Sequence, residues 1–166
     1  AVDVQEARVA LGEPAVVVRV VLGPRAESDH ETGQLDAVRA VLAVHVVTMG
    51  AVASEHCQRM FKANDYKDYL YFYGLSVETA EALAEYWHKR IRQQLDIAQD
   101  DALEMDDLFT QGYQGSRYSF GYPACPNLAD QRHLLDLLGA ARIGLALSEE
   151  DQLDPEQSTS AIIAHH

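Results

Sequence analysis

The residues best equipped for chemistry lie in one stretch, Arg117-Tyr118-Ser119-Phe120-Gly121-Tyr122-Pro123-Ala124-Cys125-Pro126. Arg117 offers a planar, two-pronged donor suited to a carboxylate or a phosphate. Gly121 removes a side chain, so a ligand can approach the main chain. Tyr122 precedes Pro123, which drives it toward extended geometry and predicts that its carbonyl and amide face outward. Pro123 and Pro126 stiffen the segment and so lower the ordering cost of binding. Read more plainly, the stretch is a rigid surface loop with an exposed arginine. A second candidate is the acidic pair Glu81 and Glu85, one helical turn apart. Their carboxylates share a face and could hold an ammonium, a sulfonium or ribose hydroxyls. The plainer account is a solvated helix face, shared with Glu78, His88 and Arg92, with His88 at the surface.

Other titratable groups carry weaker signals. His45 sits inside an apolar run and reads as a core histidine with its hydrogen bonds satisfied. His56 and Cys57 are adjacent on a helix, so they point apart and make a poor metal pair. Cys125 between two prolines reads as a small residue in a rigid turn, with a reactive thiol as the alternative. Glu149, Glu150, Asp151 and Asp154 lack the spacing of a calcium loop. HExxH, GxSxG, GxGxxG and phosphate-loop patterns are absent from the sequence. No catalytic residue and no metal ligand is therefore assigned.

These residues need elements to position them. Ala15 to Leu22, between Pro14 and Gly23-Pro24, is β-branched and predicts a largely buried strand. Residues 23–34 read as an exposed polar loop. Residues 40–48 predict a second strand, containing His45. Residues 51–63 carry Val52, His56 and Met60 at helical spacing. Tyr66, Tyr69 and Tyr73 continue in helix, with Gly74 as an end or a kink. Leu83, Trp87, Ile91 and Leu95 then mark a long helix to about residue 97. Residues 99–107 are acidic. Gly112, Gly115 and Gly121 mark an irregular segment. Asn127 caps a leucine-rich helix that ends at Gly139. Ile143 to Leu147 and Ser158 to Ala164 predict two further strands. Strands and helices are segregated irregularly, which favours α+β.

The chain of 166 residues suits one domain with a core of its own. Thirteen basic residues against twenty-six acidic ones give a net charge of -13. That excludes nucleic acid and anionic lipid as default partners and favours a cationic ligand. Two cysteines cannot build a disulfide framework and read as free thiols in a reducing cytoplasm. The apolar run Val16 to Leu22 is interrupted by Arg19 and is too short to span a bilayer. The start at Ala1 and the end at His165-His166, directly after Ala161 to Ala164, read as a fragment, with the histidines as a tag remnant in the alternative.

The stretch Tyr113 to Pro126 resembles the RxxxGYPACP signature of the C-terminal activation domain of cobalamin-dependent methionine synthases. Asp68 to Arg90 is similar to that family's long helix, and Gln152 to Ile163 resembles a later family stretch. The three blocks agree in order and spacing over residues 36–164. The resemblance implies a C-shaped α+β domain with a twisted antiparallel sheet and flanking helices. It divides the chain into an unmatched segment 1–35, of strand plus loop, and an activation-domain-like region 36–166, truncated at its C-terminus. It implies a domain of a methyltransferase that binds S-adenosylmethionine and supplies the methyl group for reductive remethylation of cob(II)alamin. Cobalamin would sit on a neighbouring module, since the DxHxxG ligand motif is missing and Ser28 to Gly33 lacks its spacing. A flavodoxin-type reductase would be the electron donor. Arg117 would grip the methionine carboxylate, Gly121 and Tyr122 would give main-chain contacts, Ala124 would lie beside them, and Glu81 would stand near the ligand. Asp29 and Asp36 are candidates for an early acidic contact of the family. The aromatic pair that closes the family's site would follow His166. The alternative is a non-catalytic docking module for a cobalamin domain or a flavodoxin-type reductase, with ligand binding lost.

Overall fold

The β-branched runs do form strands, and they assemble side by side into one antiparallel sheet. The computed structural model describes residues 4–10, 15–22, 41–94 and 96–165. The expected loop 23–34, Asp29, Asp36 and Leu95 lie outside these residues. Strands β1 (Val4–Ala10), β2 (Ala15–Leu22), β3 (Val41–Thr48), β4 (Ser116–Ser119) and β7 (Ser158–His165) pair in the order β1-β2-β3-β7-β4. Each pairing is antiparallel. Strand β1 was not legible from its composition, because Gln5, Glu6 and Arg8 break any apolar run. Two-residue strands β5 (Ala146–Leu147) and β6 (Leu153–Asp154) form a separate ribbon. Of the strand expected over Ile143 to Leu147 only the last two residues are extended, and Ile143 is the last residue of a 3-10 turn, Ala140–Ile143. Gly144, at φ 77°, ends that turn.

The register sorts side chains onto two faces, because successive residues of a strand alternate. Ala43 stands opposite Ile163, which in turn stands opposite Arg117; His45 stands opposite Ala161, which stands opposite Ser119. On the other face Val44 and Val46 join Val17 against Leu134, Leu135 and Leu138 of helix α4 (Gln131–Leu138), with Ala140 and Leu145 completing this core. Asn127 accepts a bond from the Ala129 amide at 3.3 Å and opens the short 3-10 turn that leads into α4. Gly139, left-handed at φ 60°, closes the helix as its composition predicts.

The face carrying Ala43, His45 and Val47 is covered by helix α2 (Tyr66–Gln94). Helix α1 (Gly50–Lys62) packs beside it. The buried stripe of α2 runs through Ser76, Ala80, Ala84, Trp87 and Ile91. Small residues at 80 and 84 let the helix approach Ala43 and Ala161, both fully buried. The expected break at Gly74 does not occur, and the helix continues through it for 29 residues. An added Cβ at Gly74 would meet nothing within 4 Å. Gly74→Ala should therefore stabilise the chain by about 0.5–1 kcal/mol, since alanine loses less backbone entropy on folding. A urea midpoint that rises with unchanged slope would bear this out. A lower midpoint would mean that the glycine has a packing role.

Candidate functional site

Glu81, Glu85, His88 and Arg92 lie four, three and four residues apart, which places them on one side of α2. That side is not the solvated face its polarity suggests. His88 is fully buried and Arg92 is 3% exposed. The polar ridge runs alongside the apolar stripe and turns toward the sheet and the segment 96–115. Arg92 grips Asp101 through both carboxylate oxygens, at 2.8–3.1 Å. Its guanidinium carbon also lies 4.1 Å from the Tyr113 ring centre. The same ring meets His88 edge-on at 5.2 Å. Helix α2 and two points of the segment that follows it, Asp101 and Tyr113, are tied together by this one cluster.

Arg117 reaches the ridge from the edge strand. Its Nε donates to Glu85 Oε1 at 2.9 Å and one terminal nitrogen donates to Glu81 Oε2 at 2.9 Å. The other terminal nitrogen is buried and has no partner among the described residues. Burial works against the guanidinium's charge, but the two carboxylates outweigh it and raise its pKa above the usual value. Glu85 also lies 3.7 Å from His88 Nδ1. That distance is an electrostatic contact, so the directional bond to Glu85 comes from Arg117. His88, then Arg117, hold the Glu85 carboxyl down at about 2 against the opposing effect of burial.

Beneath them is His45. It is fully buried, and neither ring nitrogen has a hydrogen-bond partner among the described residues. The expectation of a satisfied core histidine fails at this point. Burial first, then Arg117 and His88, lower its pKa to about 3, so the ring is neutral at pH 7. A cation here would stand beside the arginine, and the protein avoids that by keeping His45 uncharged.

A cavity of about 390 Å³ opens next to this cluster. Glu81 and Tyr73 of α2 form one wall. Ser119, Phe120 and Tyr122 form a second, and Gln131 and Thr159 lie on the remaining sides. The register explains why space exists. Strand β4 stops at Ser119, opposite Ala161, so Ser158 to Ser160 of β7 run on with no strand partner on that side. Ser160 is held by Gln131 at 2.7 Å and Ser158 by Thr48 at 2.8 Å. A second cavity of about 280 Å³ adjoins the first across Tyr73 and Glu156, with Cys57 and Gln157 among its lining.

The structure treats the sequence-derived residues unequally. Glu81 and Tyr122 line the larger cavity. Arg117 stands behind Glu81 with 14% of its side chain exposed. Gly121 is left-handed at φ 85°, and an added Cβ would sit 3.3 Å from Leu128. Only glycine suits that turn. Its amide donates to the Cys125 carbonyl at 2.8 Å, and the Tyr122 carbonyl, expected to face outward, accepts from the Cys125 amide at 2.9 Å. These two main-chain groups close the turn. Ala124 is exposed at the turn and does not line the cavity. His45, Tyr73, Gln131 and Thr159 were missed as site residues. Spacing along the chain gives no signal that strand ends 159 and 119 flank one opening.

Fold and site together define an α+β domain: an antiparallel sheet with a long helix across one face, and a cavity where the edge strand ends, close to the part-buried and doubly paired Arg117. Residues 26–166 match the family described as "Vitamin B12 dependent methionine synthase, activation domain", and the chain belongs to that family. The chain is 45% identical over 142 residues to methionine synthase of Mycobacterium tuberculosis. It is 46% identical over 132 residues to the enzyme of Mycobacterium leprae. These matches take in 82% and 76% of the chain but only 12% and 11% of the relatives. The fold is similar to a crystal structure of the MetH reactivation domain bound to AdoHcy, with TM-score 0.76 and 22% identity. That match covers 92% of this chain and 58% of the other.

Proposed function

We propose that this chain is the part of a cobalamin-dependent methionine synthase that binds S-adenosylmethionine and supplies its methyl group for reductive remethylation of cob(II)alamin. One observation carries the reading. A part-buried, doubly paired Arg117 stands behind Glu81, which lines a cavity whose walls mix aromatic and polar side chains. Such a site suits a zwitterion joined to an aromatic base. Tyr73, Phe120 and Tyr122 offer surface to a ring, and Gln131 and Thr159 sit where hydroxyls could bond. Arg117 would orient the carboxylate end, and the acidic surface favours a sulfonium ligand. The bound sulfonium supplies an electrophilic methyl group. Cobalamin would be held by a neighbouring module of the same enzyme, with a flavodoxin-type reductase as electron donor and the cytoplasm as the setting. No helix among the described residues is long and apolar enough to cross a membrane.

Calorimetric titration of S-adenosylmethionine and S-adenosylhomocysteine into the chain tests the reading. Saturable binding is expected, weakened by about 100-fold in Arg117→Ala, because a charge-assisted pair with a carboxylate is lost. Equal affinity of the variant would place the ligand elsewhere. Absence of binding in a folded chain would favour a docking module that has lost its ligand. The existing engagement of Arg117 by two carboxylates is the observation on that side.

A further inference from the structure

We infer that the two carboxylates on Arg117 have different roles: Glu85 is a fixed positioning residue, whereas Glu81 is an exchangeable partner that selects a ligand carrying both a carboxylate and an ammonium. The inference rests on the proposed reading of the cavity as an S-adenosylmethionine site. Glu85 is anchored from two sides. It accepts the Arg117 Nε at 2.9 Å and faces the buried His88 at 3.7 Å. It does not line the cavity. Glu81 has Arg117 as its one described partner, at 2.9 Å, and it does line the cavity. Glu81 therefore stands between the guanidinium and the space a ligand would fill.

Charge balance then dictates the exchange. A ligand carboxylate arriving beside two existing carboxylates would put three anions on one guanidinium. That is unfavourable at a guanidinium whose side chain is only 14% exposed, even though Glu81 and Glu85 themselves reach water. If Glu81 releases Arg117 and turns to the ligand's ammonium, each charge keeps an opposite partner. Arg117 exchanges one carboxylate for another while Glu85 keeps its Nε fixed. A ligand with a carboxylate but no ammonium leaves Glu81 without a partner and is rejected. The sequence placed Glu81 and Glu85 as an equivalent pair; the geometry separates them.

The test compares S-adenosylhomocysteine with its des-amino analogue by titration into the chain and its variants. The unsubstituted chain should prefer the zwitterion by about tenfold or more, the usual worth of a charged hydrogen bond. In Glu81→Gln that ratio should collapse toward one, through weaker binding of the zwitterion and tighter binding of the analogue. In Glu85→Gln both ligands should weaken together and the ratio should persist. Glu85→Asp, which keeps the charge, should recover part of the loss and covers the case in which the glutamine variant does not fold. Equal weakening of both ligands in Glu81→Gln, or a collapsed ratio in Glu85→Gln, would overturn the assignment while leaving the binding site in place. Failure of the unsubstituted chain to bind either ligand would overturn both the assignment and the function on which it rests.

Discussion

Arg92→Ala is expected to destabilise the fold by about 3–5 kcal/mol, more than any substitution on the exposed face of α2. Arg92 and Asp101 have side chains only 4% and 8% exposed. Removing the arginine would strand a carboxylate in a place water barely reaches. It would also take away the cation stacked 4.1 Å from Tyr113. Breaking one side of a buried pair is the costly case; replacing both sides with apolar groups of similar volume is not. The double variant Arg92→Met with Asp101→Leu should accordingly regain most of the loss. Urea denaturation of the two variants and the unsubstituted chain measures this, and Tm should fall by about 10 °C in the alanine variant. A loss below about 1 kcal/mol would mean that the pair behaves as a surface contact. Asp101 lies in the segment that carries the chain from α2 to β4. The alanine variant that remains folded should therefore bind ligand more weakly too, because Arg117 enters the site from β4.

The same pair shows where reading along the chain stops. Strands β2, β3 and β7 were legible because β-branched runs lie between turn residues, and α4 because Asn127 and Gly139 mark its ends. The family was legible from the segment Arg117 to Pro126, whose glycine and prolines have few alternative uses. Strand β1 was not, since its polar residues hide an edge strand. The polar face of α2 was misread for a related reason. Periodicity reports that Glu81, Glu85, His88 and Arg92 share a side, but not whether that side meets water or a partner of opposite charge. Arg117 and Asp101, separated from their partners by 36 and 9 residues, supply that partner. Gly74 illustrates the converse. Its tolerance for turns suggested a break, but tertiary packing on either side keeps the helix continuous. The site was half legible. The sequence points to Arg117, Glu81 and Tyr122, whereas the opening at Thr159 exists only because β4 is shorter than β7.

The second large effect is a loss of stability in acid that originates at His45. In the fold its ring stays neutral down to about 3; unfolded, it takes up a proton near 6.5. Below 6.5 the unfolded state therefore binds more protons, and stability falls as pH falls. The contribution is complete above 6.5 and declines until about 3. Between pH 7 and 5 this single group should remove about 2 kcal/mol. Glu85 acts in the same direction but lower: its carboxyl, held at about 2, stabilises fully above its ordinary value of 4.5 and less below it. It is half exposed, so its share is smaller. The groups facing His45 are Arg117 from β4 and His88 and Glu85 from α2, and only Glu85 favours the proton. His45→Leu is close in volume and removes two buried nitrogens that lack partners. At pH 7 it should be as stable as the unsubstituted chain or more so. Its urea midpoints at pH 7, 6 and 5 should be nearly level where the unsubstituted chain declines. Parallel declines in both proteins would show that the acid sensitivity arises elsewhere. Level midpoints in the variant would trace the acid sensitivity to proton uptake by His45, on the α2 side of the sheet.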